Sequence, residues 1–133
     1  FIPKIIHNSM NEIEIPVYGD GRNIRDWIFV EDHIEIILKL HEASIQNDLV
    51  NIGSNCEKSN MEILETISSI LKNKYSIYSK FSFVKDRLGH DKRYAINMSK
   101  VEQILGIKIM HDFELNMEKT INWYMSNRDW WDS

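Results

Sequence analysis

Three stretches of the chain concentrate residues that a hydrophobic core does not require, and each could serve a phosphate-bearing ligand. The first runs Pro16, Val17, Tyr18, Gly19, Asp20, Gly21 and on through Arg22 and Arg25 to Trp27. It sets a glycine-rich turn between an aromatic ring and two arginines. A guanidinium is a planar fork that meets phosphate oxygens with paired hydrogen bonds, and a proline or aromatic wall can pack against a base or sugar. Taken alone, a polar hairpin turn with solvated arginines is the commoner outcome for such a stretch. The second, residues 53–60, leaves an apolar run and enters a helix start at Ser59 and Asn60. Free backbone N–H groups there attract anions, although simple capping by these two residues accounts for it equally well. The third, residues 85–94, carries Asp86, Arg87, Leu88, Gly89 and His90 among further charges. A solvated charged loop is the ordinary explanation, and a glycine beside an arginine and a histidine also makes an anion cradle.

Other chemistry finds less support. Cys56 and the five histidines show no close metal-ligand spacing; His33 and His41 stand two helical turns apart. No metal site is expected. No Ser-His-Asp or Cys-His arrangement, Gly-x-Gly-x-x-Gly or P-loop is present. Trp123, Tyr124, Trp130 and Trp131 read as core or domain-contact aromatics. The net charge of −4, without a basic stripe, argues against nucleic-acid binding. A single cysteine allows no intramolecular disulfide and suggests a reducing compartment such as the cytoplasm. No apolar run approaches the ~18 residues of a membrane span.

The elements that must position these stretches follow from periodicity. With 133 residues, 43% of them hydrophobic, the chain is the size of one domain with a real core. A partner domain over one face would fit a chain this short. The start at Phe1, inside an apolar pattern, reads as a piece of a larger polypeptide or an expressed fragment. A helix is expected to about Met10, with Pro3 in its first turn. Strands are expected at residues 13–18, 26–30, 49–53 and 81–84. A helix over residues 31–42 should bury Ile34, Ile37 and Leu38. Ser59 and Glu62 form a capping box before a helix burying Ile63, Leu64, Ile67, Ile70 and Leu71; Ser99 and Glu102 suggest a second box, for a helix ending at Gly106. Asp112 should cap a last helix with Phe113, Met117, Ile121 and Tyr124 on one face. Helices alternating with short strands make the class α/β, or α+β with a small mixed sheet.

The order of the three stretches resembles a known family. Phe1-Ile2-Pro3, Pro16-Val17-Tyr18-Gly19-Asp20-Gly21 and the run from Ile24 to His33 are similar to the carboxy-terminal half of extended short-chain dehydrogenase/reductases acting on nucleotide sugars, epimerases and decarboxylases included. The run from Asp86 to Asn97 resembles the Asp-Arg-Pro-Gly-His-Asp-Arg-Arg-Tyr-Ala-Ile-Asp block of the dTDP-glucose 4,6-dehydratases. Asn51-Ile52-Gly53 with Glu57, Lys58 and Asn60, and the closing Thr120 to Tyr124 with Trp130, look like that family too.

The resemblance implies the small substrate-binding domain of a longer enzyme whose Rossmann half, with its NAD, is absent here. The family's reaction oxidises C4 of the hexose, eliminates water across C5 and C6, and returns the hydride to C6, in deoxysugar biosynthesis. Its catalytic residues belong upstream, so no catalytic residue is assigned to this chain. The expected ligand is dTDP-glucose or UDP-glucose. Arg25 and Arg87 would neutralise its pyrophosphate and Asn60 would hydrogen-bond it. Pro16, Val17 and Tyr18 would flank the base, with Asp86, Leu88, Gly89, His90 and Phe1 completing the pocket. The full-length enzyme is expected to be a homodimer. Three residues depart from the pattern: Leu88 for proline, Cys56 for asparagine and Asn97 for aspartate. A non-catalytic nucleotide- or partner-binding module is the reading from a different class.

Overall fold

A computed structural model describes residues 1–43, 48–108 and 111–131. The elements run α1 (Ile2–Met10), β1 (Ile15–Tyr18), β2 (Ile24–Asp26), α2 (Val30–Glu42), β3 (Glu57–Ser59), α3 (Asn60–Tyr75), β4 (Phe81–Val84), α4 (Ser99–Leu105), α5 (Phe113–Ser126) and α6 (Arg128–Trp131). β1 pairs in parallel with β4, with Tyr18 opposite Val84, and β2 pairs antiparallel with β3, with Arg25 opposite Lys58. The class is therefore mixed helix and strand, as the alternation of patterns implies.

The main core lies where α1, α3 and α5 close over β1. Ile5, Ile6, Ile15, Val17, Ile63, Leu64, Ile67, Leu71, Met117 and Ile121 are buried together, and Ile70, Phe113 and Tyr124 pack against them. Period-two alternation in β1 turns Ile15 and Val17 inward and leaves Pro16 and Tyr18 half-buried on the other face. The α3 start is the expected capping box: Ser59 accepts from the Glu62 N–H, while Glu62 accepts from the Ser59 N–H at 2.7 Å. Asp112 caps α5 through the Leu115 N–H, and Gly106 ends α4 at φ +63°.

Four expectations need correction. β2 ends at Asp26 rather than starting there; Trp27 turns away to donate its indole N–H to the Lys58 carbonyl at 3.1 Å, and α2 begins by Val30. Residues 49–53 form no strand, and Leu49 is 77% exposed. On α2 the buried residue is Ile36, which joins Met98 and Val101 in a smaller cluster, while Ile34, Ile37 and Leu38 face outward. A strand needs a ladder partner and an apolar stripe needs a surface to cover, and the described residues supply neither at these places. At α4 the cap residue is Met98; the Ser99 N–H is satisfied by the Asn97 side chain at 2.8 Å, so the second capping box does not form.

Candidate functional site

Backbone hydrogen bonds sew the three stretches to one another. The Gly19 N–H donates to the Val84 carbonyl at 3.0 Å, carrying the end of β1 to the start of the 85–94 loop. The Asn60 and Met61 N–H groups donate to the carbonyls of Asn23 (3.1 Å) and Gly21 (3.0 Å), which fastens the first turn to the start of α3. Ile24 donates to Lys92 at 2.9 Å and Tyr94 donates back to Ile24 at 3.3 Å, so the third stretch closes over β2. The two turn glycines are obligatory on separate grounds. Gly21 has φ +70°, and an added Cβ would lie 2.6 Å from Met61 Cγ; Gly19 has φ +62°, and an added Cβ would lie 2.9 Å from Asp86 Oδ2.

Each of the two candidate phosphate-binding arginines sets its guanidinium over a tyrosine ring. The Arg25 Cζ sits 4.3 Å from the Tyr94 ring centroid, and its Nη1 and Nη2 donate to the Ile24 and Asp91 carbonyls at 2.6 and 2.8 Å. A guanidinium has five N–H donors, so among the described residues three remain without a partner. The Arg87 Cζ stands 4.2 Å from the Tyr18 centroid, with no hydrogen bond to its guanidinium among the described residues. Beside it, His90 Nδ1 and Asp86 Oδ1 are 2.7 Å apart, and the His90 N–H donates to the Arg87 carbonyl at 3.3 Å. Hydrogen bonding from His90 first, then from the Arg87 N–H, holds the Asp86 carboxyl below the ordinary carboxylate range.

The remaining sequence-predicted residues are placed as follows. Pro16 is half-buried on the same face of β1 as Tyr18, whereas the Val17 side chain is in the core and reaches the junction by its backbone alone. Asn60 opens α3 at the seam between the first two stretches. Leu88 is fully exposed, and Gly89, at φ +71°, has nothing within 4 Å of an added Cβ, so its conformation alone demands glycine. Phe1 packs its ring against Trp27 at 6.5 Å.

Two anchors escaped the sequence reading. Asp26 accepts from the Ser54 N–H (2.8 Å), the Cys56 N–H (3.0 Å) and the Ser54 hydroxyl, and so clamps residues 54–56 to β2. Arg93 makes a two-pronged pair with Glu57 at 2.6 Å on each prong and ties the third stretch to β3. The available signal for Asp26 was a carboxylate inside an aromatic and β-branched run, which is out of place unless partnered. Away from the junction, a cavity of about 270 Å³ is lined by Trp27, Phe29, Cys56, His111, Phe113 and Tyr124, among others. His111 is buried there, its Nδ1 paired with Asp32 at 2.6 Å and its Nε2 without a partner among the described residues. Burial raises the Cys56 thiol pKa and disfavours a reactive thiolate. Among the described residues no group of three or more His, Cys, Asp or Glu could hold a metal ion, and no helix is long and apolar enough to cross a membrane.

The chain is thus a small mixed helix-and-strand unit whose loop junction carries two arginines, each over a tyrosine ring. The chain belongs to the GDP-mannose 4,6-dehydratase family, whose model matches residues 1–120. Among curated relatives it is 38% identical to the dTDP-glucose 4,6-dehydratase of Neisseria meningitidis serogroup B and 39% identical to that of Escherichia coli. Each match covers 98% of this chain but only 39% and 38% of the relative, so the chain spans about two fifths of their length. Among solved structures, the dTDP-glucose 4,6-dehydratase of Bacillus anthracis in complex with NAD superimposes with a TM-score of 0.84 at 35% identity, over 98% of this chain and 40% of that one. The Streptomyces venezuelae dTDP-glucose 4,6-dehydratase with NAD and TYD bound gives 0.86 at 31% identity, with the same coverage.

Proposed function

We propose that this chain is the carboxy-terminal substrate-binding part of an NAD-dependent dTDP-glucose 4,6-dehydratase of the cytoplasm. The carrying observation is the pair of arginines brought to one seam, each oriented by a tyrosine face and each with N–H donors to spare. Two such cations match a pyrophosphate, and charge-assisted hydrogen bonds to it contribute about 1.5–3 kcal/mol each. Arg25 and Arg87 bind the diphosphate, Asn60 donates to it, and Pro16, the Val17 backbone and Tyr18 flank the base. His90, fixed by Asp86, adds a contact on the ribose or phosphate side, with Leu88, Gly89 and Phe1 at the rim.

NAD, when bound, accepts the hydride from the sugar and returns it. No glycine-rich dinucleotide turn follows a strand in this chain, so none of its residues is assigned to NAD, which belongs with the rest of the enzyme. This chain's own part in the reaction is to hold the nucleotide and present the hexose. The base is open between thymine and uracil. Of the three departures from the family pattern, Cys56 lines the separate cavity and Asn97 caps Ser99, while Leu88 points wholly into solvent. A homodimer is proposed for the whole enzyme.

Two measurements test the reading. The isolated chain should bind thymidine diphosphate yet turn over no dTDP-glucose, whereas the full-length protein should release a 4-keto-6-deoxy product. In that enzyme Arg25→Ala and Arg87→Ala should raise KM, by about tenfold or more, at nearly unchanged melting temperature. Unchanged KM with a fall in melting temperature would make these arginines structural and sink the proposal.

A further inference from the structure

We propose that Tyr18 is the positioning residue for Arg87: its ring, fixed in the β1–β4 sheet, is what holds the guanidinium at the seam. The inference rests on the proposed diphosphate site and adds a role for Tyr18 distinct from flanking the base. It comes from a difference between the two arginines. Arg25 is over-determined, since two backbone carbonyls and the Tyr94 ring all fix its plane. Arg87 lies on an exposed loop whose neighbour Leu88 is fully in solvent, and the Tyr18 face at 4.2 Å is the close contact that orients its guanidinium.

The platform belongs to the sheet, whereas Arg87 belongs to the turn beside it. Tyr18 is half-buried, sits in register with Val84, and is followed by the Gly19 N–H bond to the Val84 carbonyl. The loop leaves β4 at that same residue, and the Asp86–His90 contact closes it into a turn with Arg87 on it. A cation over a ring is held by the ring's face and spends none of its N–H donors as hydrogen bonds there. With no hydrogen bond to its guanidinium among the described residues, Arg87 keeps its donors open to an incoming anion. Pre-orienting a long side chain also lowers the entropy lost when it binds.

The test uses the 133-residue chain, titrated calorimetrically with thymidine diphosphate and separately with inorganic pyrophosphate, with melting curves to verify that each variant folds. Tyr18→Phe keeps the face and should retain wild-type affinity for both. Tyr18→Leu removes it and should weaken both by about two- to fivefold, the factor corresponding to an exposed cation–ring contact. With inorganic pyrophosphate, which has no base for Tyr18 to flank, Tyr18→Leu should add nothing in an Arg87→Ala background. Equal losses of pyrophosphate affinity for Phe and Leu, or the same loss from Leu with and without Arg87, would overturn the inference. A ligand-free readout separates it from the site reading: the Arg87 Nε–H resonance should be shifted upfield by the ring in the wild type and in Tyr18→Phe, and not in Tyr18→Leu. A chain that binds both ligands but shows no ring shift defeats this inference alone. A chain that shows the shift and binds neither ligand defeats the diphosphate site, and the inference with it.

Discussion

Replacing Asp26 by alanine should cost far more stability than its surface position beside Arg25 suggests. The carboxylate accepts from two backbone N–H groups, those of Ser54 and Cys56, and from the Ser54 hydroxyl. Ser54 is only 4% exposed, so its donors cannot all turn to water when the acceptor goes. A hydrogen bond to a charged group is worth about 1.5–3 kcal/mol, and a stranded buried donor costs about 1–3. The losses overlap, and the small pocket left by the side chain admits some water, so about 3 kcal/mol is the expected total. For a domain of this length, about 3–5 °C per kcal/mol puts the fall in melting temperature near 10 °C. The assay is urea denaturation followed by tryptophan fluorescence, with Gly53→Ala as companion. At Gly53 an added Cβ would lie 2.3 Å from Asp26 Oδ2 and 2.9 Å from the Ile96 Cβ, so that variant should break the same clamp from the opposite side. A loss under about 0.5 kcal/mol for Asp26→Ala would show that the 54–56 turn holds itself and that the clamp reasoning is mistaken.

Ser59→Ala, which removes one half of the α3 capping box, should cost about 1 kcal/mol by denaturant titration. The Glu62 carboxyl is held below its ordinary pKa by the Ser59 N–H first and then by the Ser59 hydroxyl. A depressed acid contributes stability that is full above its unfolded pKa and lost as pH falls through the lower folded value. Acid titration should therefore destabilise the wild type more than Glu62→Gln in the region below the ordinary carboxylate range; parallel pH profiles would count against the box. In the core, Ile67→Ala should cost about 2–5 kcal/mol, whereas Ile34→Ala on the outward face of α2 should stay within about 0.5 kcal/mol, both read from urea midpoints.

What the sequence disclosed divides by the range of the interactions involved. The Ser59 box, the Asp112 cap and the Gly106 stop are settled within four residues and stand in the structure, whereas the equally local Ser99 box does not form, because the Asn97 side chain takes the Ser99 N–H. The buried stripes of α3 and α5 were legible because both helices pack within this chain. The stripe on α2 and the strand-like residues 49–53 misled because burial and ladder pairing depend on surfaces that the sequence of one element does not specify. Asp26 was unreadable for a related reason: its partners lie 28 and 30 positions away, and no local pattern announces them. The two arginines were picked out by type and neighbourhood. That each would lie on a tyrosine, with Tyr94 serving Arg25, was not, since a stacking contact leaves no periodic trace.

The seam between the three stretches is sewn largely through amides and carbonyls, as in Met61 to Gly21, Asn60 to Asn23 and Ile24 to Lys92. Main-chain bonds are indifferent to side-chain identity, provided no proline removes a donor and the turn glycines keep their left-handed torsions. Apart from the side-chain anchors Asp26, Glu57 and Arg93, such a frame tolerates mutational drift: most other loop residues can be exchanged one at a time without the geometry being renegotiated. An exposed Leu88 then becomes a neutral experiment on an unchanged scaffold. On the proposed function, selection for a different base or sugar would work through a few rim positions while the proposed diphosphate cradle stays where the backbone puts it.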